Sequence, residues 1–123
     1  MPKLFVYGTL RRGGYYHHLM QEALLIQEVY PIRGYELRYS GAHYPYAFIN
    51  PDCEIIGDIF EVSQALLEGP LDALEDVAGG EYQRYFDEAN DFYIYLKVTD
   101  DREVYDLIEH GDWLEYWKRL NTY

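Results

Sequence analysis

Cysteine is almost missing from this chain: Cys53 stands alone among 123 residues. A lone thiol excludes an internal disulfide and a zinc knuckle built on paired cysteines. Cys53 reads as a small strand residue rather than a nucleophile. Basic residues are scarce as well. Ten Lys and Arg face 22 Asp and Glu, a net charge of −12. Such a surface repels phosphate backbones, which argues against nucleic-acid binding despite the aromatic content. The charge favours solubility. It does not identify a substrate, because a local positive pocket can sit on an acidic protein. No apolar run approaches a membrane-spanning length, and Met1-Pro2-Lys3-Leu4-Phe5 is too short for a signal peptide. A cytoplasmic protein without a membrane partner is the expectation. Repeats, low-complexity tracts and linkers are lacking too, so residues 1–123 are expected to form one domain.

What is present suits a packed core. Apolar residues make up 49% of the chain, which argues against disorder. Fifteen tyrosines are many for this length. Each offers an apolar ring with a polar tip, useful in a half-wet cavity or an interface.

Lys3-Leu4-Phe5-Val6-Tyr7 reads as a buried strand. Gly8 stops it, and Thr9-Leu10-Arg11-Arg12-Gly13-Gly14 follows. Small residues between a strand and a helix let a loop aim several backbone N–H groups at one point, a concavity suited to a carboxylate or another anion. The alternative is an ordinary strand-to-helix turn. The spacing of Gly8, Gly13 and Gly14 fits neither a P-loop nor a dinucleotide fingerprint.

Tyr15 to Leu24 has helical spacing. His17 and His18 are adjacent there, about 100° apart on a helix, and do not both face one metal. No metal site is expected. A polar contact fixing the glycine loop suits one of them better. Strands are expected over 25–32, 34–39, 47–50 and 54–62, with a loop over 39–46. Gly57 marks a bulge or a close approach. Ser63 is placed to cap a helix, and Pro70 to open a second helical segment. Leu67, Leu71 and Leu74 form its apolar stripe, and Glu75 ends it. A hairpin follows, over 82–88 and 92–98, turning at Asn90-Asp91. Phe92, Ile94, Leu96 and Val98 supply its inward face. Asp112 caps a final amphipathic helix whose Trp113–Trp117 face is core or contact. Several short strands with two or three helices predict an α+β domain around a curled sheet.

Glu75 is the candidate for acid–base chemistry. A carboxylate at a helix C-terminus meets the negative end of the dipole, and partial burial adds to the effect. Both raise its pKa toward the range useful to a general base. The alternative is a solvated glutamate in the acidic run Leu74-Glu75-Asp76.

Several stretches carry a resemblance. Phe5-Val6-Tyr7-Gly8-Thr9-Leu10-Arg11-Arg12-Gly13 resembles the opening signature of the γ-glutamylcyclotransferase-like superfamily. Leu71-Asp72-Ala73-Leu74-Glu75 followed by Gly80-Glu81-Tyr82-Gln83-Arg84 resembles its second signature. Tyr44-Pro45-Tyr46-Ala47 and Ile108-Glu109-His110-Gly111-Asp112-Trp113 resemble elements of its small bacterial and archaeal, AIG2-like branch. The resemblance implies a mixed, barrel-like α+β sheet with a few short helices and one cavity. It implies an amine-releasing cyclisation of a γ-glutamyl amine or peptide to 5-oxoproline, with neither metal nor organic cofactor. It places the carboxylate-binding loop on Tyr7, Gly8, Thr9 and Leu10, the catalytic acid/base on Glu75 and a pocket wall on Tyr82. Tyr16-His17 stands where many relatives carry Asn-His, and Glu81 is a second carboxylate close to Glu75. A small-molecule substrate and a monomer or weak homodimer are the expected partners. The competing readings are a non-catalytic member that binds an amino-acid-like ligand, and a protein–protein module built on the aromatic surface. The position of Glu75 relative to Gly8, Thr9 and Leu10 separates the enzyme and the ligand-binding member from the protein–protein module.

Overall fold

In the computed structural model of the protein, which describes residues 1–121, six strands form one sheet. They are β1 (Lys3–Val6), β2 (Leu24–Tyr39), β3 (Pro45–Glu61), β4 (Tyr82–Asp87), β5 (Phe92–Lys97) and β6 (Asp106–Leu107). Their spatial order is β4-β5-β1-β3-β2-β6. β1 runs parallel to β5, with Leu4 opposite Tyr93, and antiparallel to β3, with Leu4 opposite Phe60. The remaining pairs are antiparallel. The sheet is therefore mixed, and it curls into a half-barrel.

β1 is central because both of its faces are covered. Leu4 and Val6 join one core with Phe60, Val62, Leu67 and Leu71; Phe5 joins a second with Ile55, Phe92, Ile94 and Trp113. A strand buried on both sides reads as a continuous apolar run, as Leu4-Phe5-Val6 does. Gly57 on β3 is the matching concession. A side chain there would run into the Val6 carbonyl and the Phe5 ring.

Two expected strand breaks are bulges inside longer strands. β2 continues through Gly34, whose φ of +111° absorbs a register shift between Arg33 and Gly34. Opposite it, Arg33 pairs with Glu54 and Gly34 with Asn50, leaving residues 51–53 looped out of the ladder. Pro51 is tolerated there because a bulge asks for no ladder N–H. The periodicity saw the interruption and could not see that the partner strand bridges it.

The expected helix over 15–24 is only a 3-10 turn, His17–Met20. The backbone closes i to i+3, with the His17 N–H on the Gly14 carbonyl and the Leu19 N–H on the Tyr16 carbonyl. Burial of Met20 anchors the turn, while Tyr15 stays exposed. The segment after β3 is one continuous helical stretch rather than two. It comprises α1 (Gln64–Leu66), a π-helical turn (Leu67–Leu71) and α2 (Asp72–Leu74). Pro70 sits inside it. The wider π turn accommodates a residue that has no N–H to give. Ser63 caps the start, its Oγ accepting the Leu66 N–H at 3.0 Å. Leu67 and Leu71 are fully buried, each contributing about 1.5–3 kcal/mol.

β5 differs from strict alternation. Tyr95 is buried along with Ile94 and Leu96, whereas Val98 lies beyond the strand and is exposed. The turn at Asn90-Asp91 forms as expected, with Asp91 at φ +56°. Asp112 accepts the Glu115 N–H and caps α3 (Trp113–Leu120). Trp113 is 1% exposed and belongs to the core, stacked on Trp117. No helix among the described residues is long and apolar enough to cross a membrane.

Candidate active site

β1 delivers the chain to Gly8 at the edge of a cavity. The Arg11 N–H closes a turn on the Gly8 carbonyl at 3.1 Å, and the Tyr16 N–H donates to the Thr9 carbonyl at 2.8 Å. His17 Nδ1 lies 3.2 Å from the Leu10 carbonyl oxygen, the loop-fixing contact expected of one histidine. Gly14 approaches so closely that a Cβ would strike the Thr9 carbonyl. All these bonds occupy carbonyls of the loop. The N–H groups of Gly8, Thr9 and Leu10 donate to no acceptor among the described residues. They are the groups an anion would use.

A buried ionic cluster braces the loop from behind. Arg11 is 4% and Asp58 1% exposed. Asp58 accepts the Arg12 N–H at 2.8 Å and the Val29 N–H at 3.0 Å. Val29 has a φ of +52°, so one carboxylate holds both the loop and a strained bulge of β2. Arg11 donates to Asp112 at 2.7 Å, which ties the loop to the cap of α3. Asp58 falls within the apolar pattern of β3 in the sequence. Its signal was a charge placed where the periodicity demanded a hydrophobe.

Glu75 caps the end of α2, its N–H on the Leu71 carbonyl at 3.1 Å. Its side chain turns inward. The pKa is pushed up to about 8, first by burial and then by the charge of Glu81. Glu81 is itself held by tyrosines: the hydroxyls of Tyr46 and Tyr44 donate to its Oε1 at 3.1 and 3.4 Å. Burial pushes the Tyr46 phenol up, helped by its bonds to Tyr44 and Glu81. A neutral phenol is the form that donates to a carboxylate.

Tyr7, Gly8, Thr9, Leu10, Glu75 and Tyr82 line one cavity. The Tyr7 hydroxyl donates to the Tyr95 carbonyl at 2.6 Å and the Tyr82 hydroxyl to the Pro45 carbonyl at 2.8 Å. Both rings are thereby fixed as walls. Both phenols are pushed up, chiefly by burial. This inner end is narrow, about 30 Å³. It shares Thr9, Tyr44, Glu75 and Tyr82 with an outer chamber of about 210 Å³ that also reaches Tyr16, His43 and Glu81. The structure thus brings together every residue expected at the site and sets Glu81 one chamber further out. Tyr95 was not expected. Alternation assigned it to the outer face of β5, and nothing local marked it as buried. Among the described residues, no group of three or more His, Cys, Asp or Glu side chains is arranged to hold a metal ion.

The chain and its fold have counterparts among known proteins. Residues 4–115 match the family model described as Gamma-glutamyl cyclotransferase, AIG2-like. The chain is 37% identical over 117 residues to the Gamma-glutamylcyclotransferase family protein ytfP of Citrobacter rodentium, covering 92% of this chain and 96% of that one. It is 32% identical to the Gamma-L-glutamyl-butirosin B gamma-glutamyl cyclotransferase of Niallia circulans, over 94% of this chain and 78% of that one. The solution structure of ytfP from Escherichia coli superposes with a TM-score of 0.70 at 32% identity, covering 93% of this chain and 97% of that one.

Proposed function

Because the chain belongs to the gamma-glutamyl cyclotransferase, AIG2-like family, we propose that it cyclises a γ-glutamyl amine or peptide to 5-oxoproline and releases the amine. Glu75 is the acid/base. The N–H groups of Gly8, Thr9 and Leu10 hold the substrate α-carboxylate, and the Tyr7 and Tyr82 rings wall the γ-glutamyl chain.

The chemistry needs one proton carrier and one anchor. The α-nitrogen attacks the γ-carbonyl carbon, the new C–N bond closes the five-membered ring, and the old amide C–N bond breaks. The substrate begins with an α-ammonium and ends as a lactam bearing one N–H. Two protons leave the attacking nitrogen, and both finish on the departing amine, which leaves as an ammonium. A carboxylate between the two nitrogens carries them one at a time. Holding the α-carboxylate aims the amine at the carbonyl, an effective-molarity contribution. Neither metal nor organic cofactor enters this scheme.

The observation that carries this reading is the pairing within one narrow cavity: a glutamate with its pKa raised to about 8, and the loop residues Gly8, Thr9 and Leu10, whose N–H groups donate to no acceptor among the described residues. The test is 5-oxoproline release from a panel of γ-glutamyl amines and dipeptides. Wild type should turn over at least one member, and Glu75→Gln should abolish release while still binding that compound. Turnover persisting in clean Glu75→Gln protein would remove Glu75 from its role.

A further inference from the structure

The three cavities around Thr9 are graded. The inner end is lined by the Gly8–Leu10 loop and Glu75. The next chamber, of about 210 Å³, holds Glu75, Glu81 and the rings of Tyr16, His43 and Tyr44. Beyond it a cleft of about 450 Å³ runs past Tyr15, Tyr16 and His43 to Trp113 and Trp117. No lysine or arginine lines any of the three among the described residues. Among the described residues Glu81 makes no ion pair; the nearby Lys97 is paired instead with Asp101 at 2.9 Å and lies over the Tyr46 ring. The path outward from Glu75 is therefore acidic and then aromatic. Tyr15 and Tyr16 meet edge to face at 4.8 Å, and His43 lies within 5.8 Å of Tyr15.

We propose that Glu81, with the Tyr15, Tyr16 and His43 wall beyond it, is the leaving-group subsite, and that it selects γ-glutamyl amides whose departing amine carries a second, positive charge. This rests on the cyclotransferase reading above. With the α-carboxylate on the Gly8–Leu10 loop and the γ-carbonyl at Glu75, the departing half points into the chamber where Glu81 sits. A carboxylate with no counter-cation attracts an ammonium there. Aromatic faces accept a cation as well. The Tyr44 and Tyr46 hydroxyls hold the Glu81 carboxylate in place without neutralising it. An anionic departing group, such as a peptide with a free C-terminus, meets repulsion from the same charge.

Three γ-glutamyl amides of matched length test this: those of 1,5-diaminopentane, of pentylamine and of 5-aminopentanoate. Their departing halves are cationic, neutral and anionic. Release of 5-oxoproline is measured on the plateau of the pH profile, so that a changed Glu75 pKa does not enter. The expected order of kcat/KM is cation, neutral, anion, with about tenfold between the first two, as one charge-assisted contact supplies. In Glu81→Gln the cation-to-neutral ratio should fall to near one. A ratio near one in wild type, or one that survives in Glu81→Gln, overturns the subsite. Binding of the same compounds to Glu75→Gln, measured by calorimetry, is independent of turnover. Cation-selective binding that disappears in Glu75→Gln/Glu81→Gln supports the subsite even if wild type releases nothing, an outcome that would sink the cyclisation alone. Equal binding of all three, or binding of none, overturns it.

Discussion

Glu75 should cost the protein stability at the pH where it is needed. Burial and the Glu81 charge raise its pKa from 4.5 to about 8. A carboxyl raised on folding binds its proton more tightly in the folded chain than in the unfolded one. Below pH 4.5 both states are protonated and the group adds no pH dependence. Between 4.5 and 8 the unfolded chain releases the proton and the folded chain keeps it, so stability falls as pH rises. Above 8 the penalty is complete. The window spans 3.5 pH units; at about 1.4 kcal/mol per unit its ceiling is about 5 kcal/mol. Solvent at the cavity mouth screens part of this, leaving about 2–4 kcal/mol. Glu75→Gln keeps the shape and removes the titration. Urea unfolding of both proteins from pH 4 to 9.5 isolates the effect, because every other titrating group is common to the pair. The variant should match wild type at pH 4 and exceed it by about 2–4 kcal/mol at pH 9, through a higher midpoint at unchanged slope. A difference that stays flat across this range, or that favours wild type at high pH, would refute the buried placement of Glu75. If it holds, the substitution that removes turnover also stabilises the fold, which marks a residue kept for function rather than for packing.

Two further outcomes follow from the same contacts. The kcat/KM of wild type should fall as pH drops below about 8, because the base must be deprotonated in the free enzyme; Glu81→Gln should move that acid limb downward, since Glu81 is the second cause of the raised pKa, and an unmoved limb would remove that coupling. Asp58→Ala leaves Arg11 buried beside a lost carboxylate and strips the acceptor from the Arg12 and Val29 N–H groups, so it should lower unfolding free energy by about 3–5 kcal/mol, with a loss below about 1 kcal/mol arguing that the cluster does not brace the loop.

Much of the site was legible because local chemistry and motif agree at Gly8 and at Glu75. The strand-stop-loop pattern marked the loop whose N–H groups are undonated and the helix end marked Glu75, each with a plainer alternative that only the two signatures read together set aside. The long strands were not legible in the same way. Gly34 and Pro51 break local periodicity, yet they lie across from each other, and a bulge opposite a loop-out lets one ladder continue. Only the partner strand contains that information. Pro70 misled for a related reason: a proline reads as a helix start, and a π turn that tolerates it internally leaves no trace in the sequence. Tyr95 escaped because a strand covered on both faces does not alternate.

Asp58 and Glu81 divide what remained. Both are carboxylates in or beside apolar strand patterns, and their environments give them opposite tasks. Asp58 faces two backbone N–H groups and a guanidinium, so its charge is spent inside the fold. Among the described residues the Glu81 carboxylate meets phenol hydroxyls and no ion-pair partner, and it opens on a chamber. Its charge is left directed outward. A fold that pairs one buried acid with a guanidinium and two N–H groups, and leaves another at the cavity with phenol hydroxyls alone, favours a positive charge on the molecule that enters.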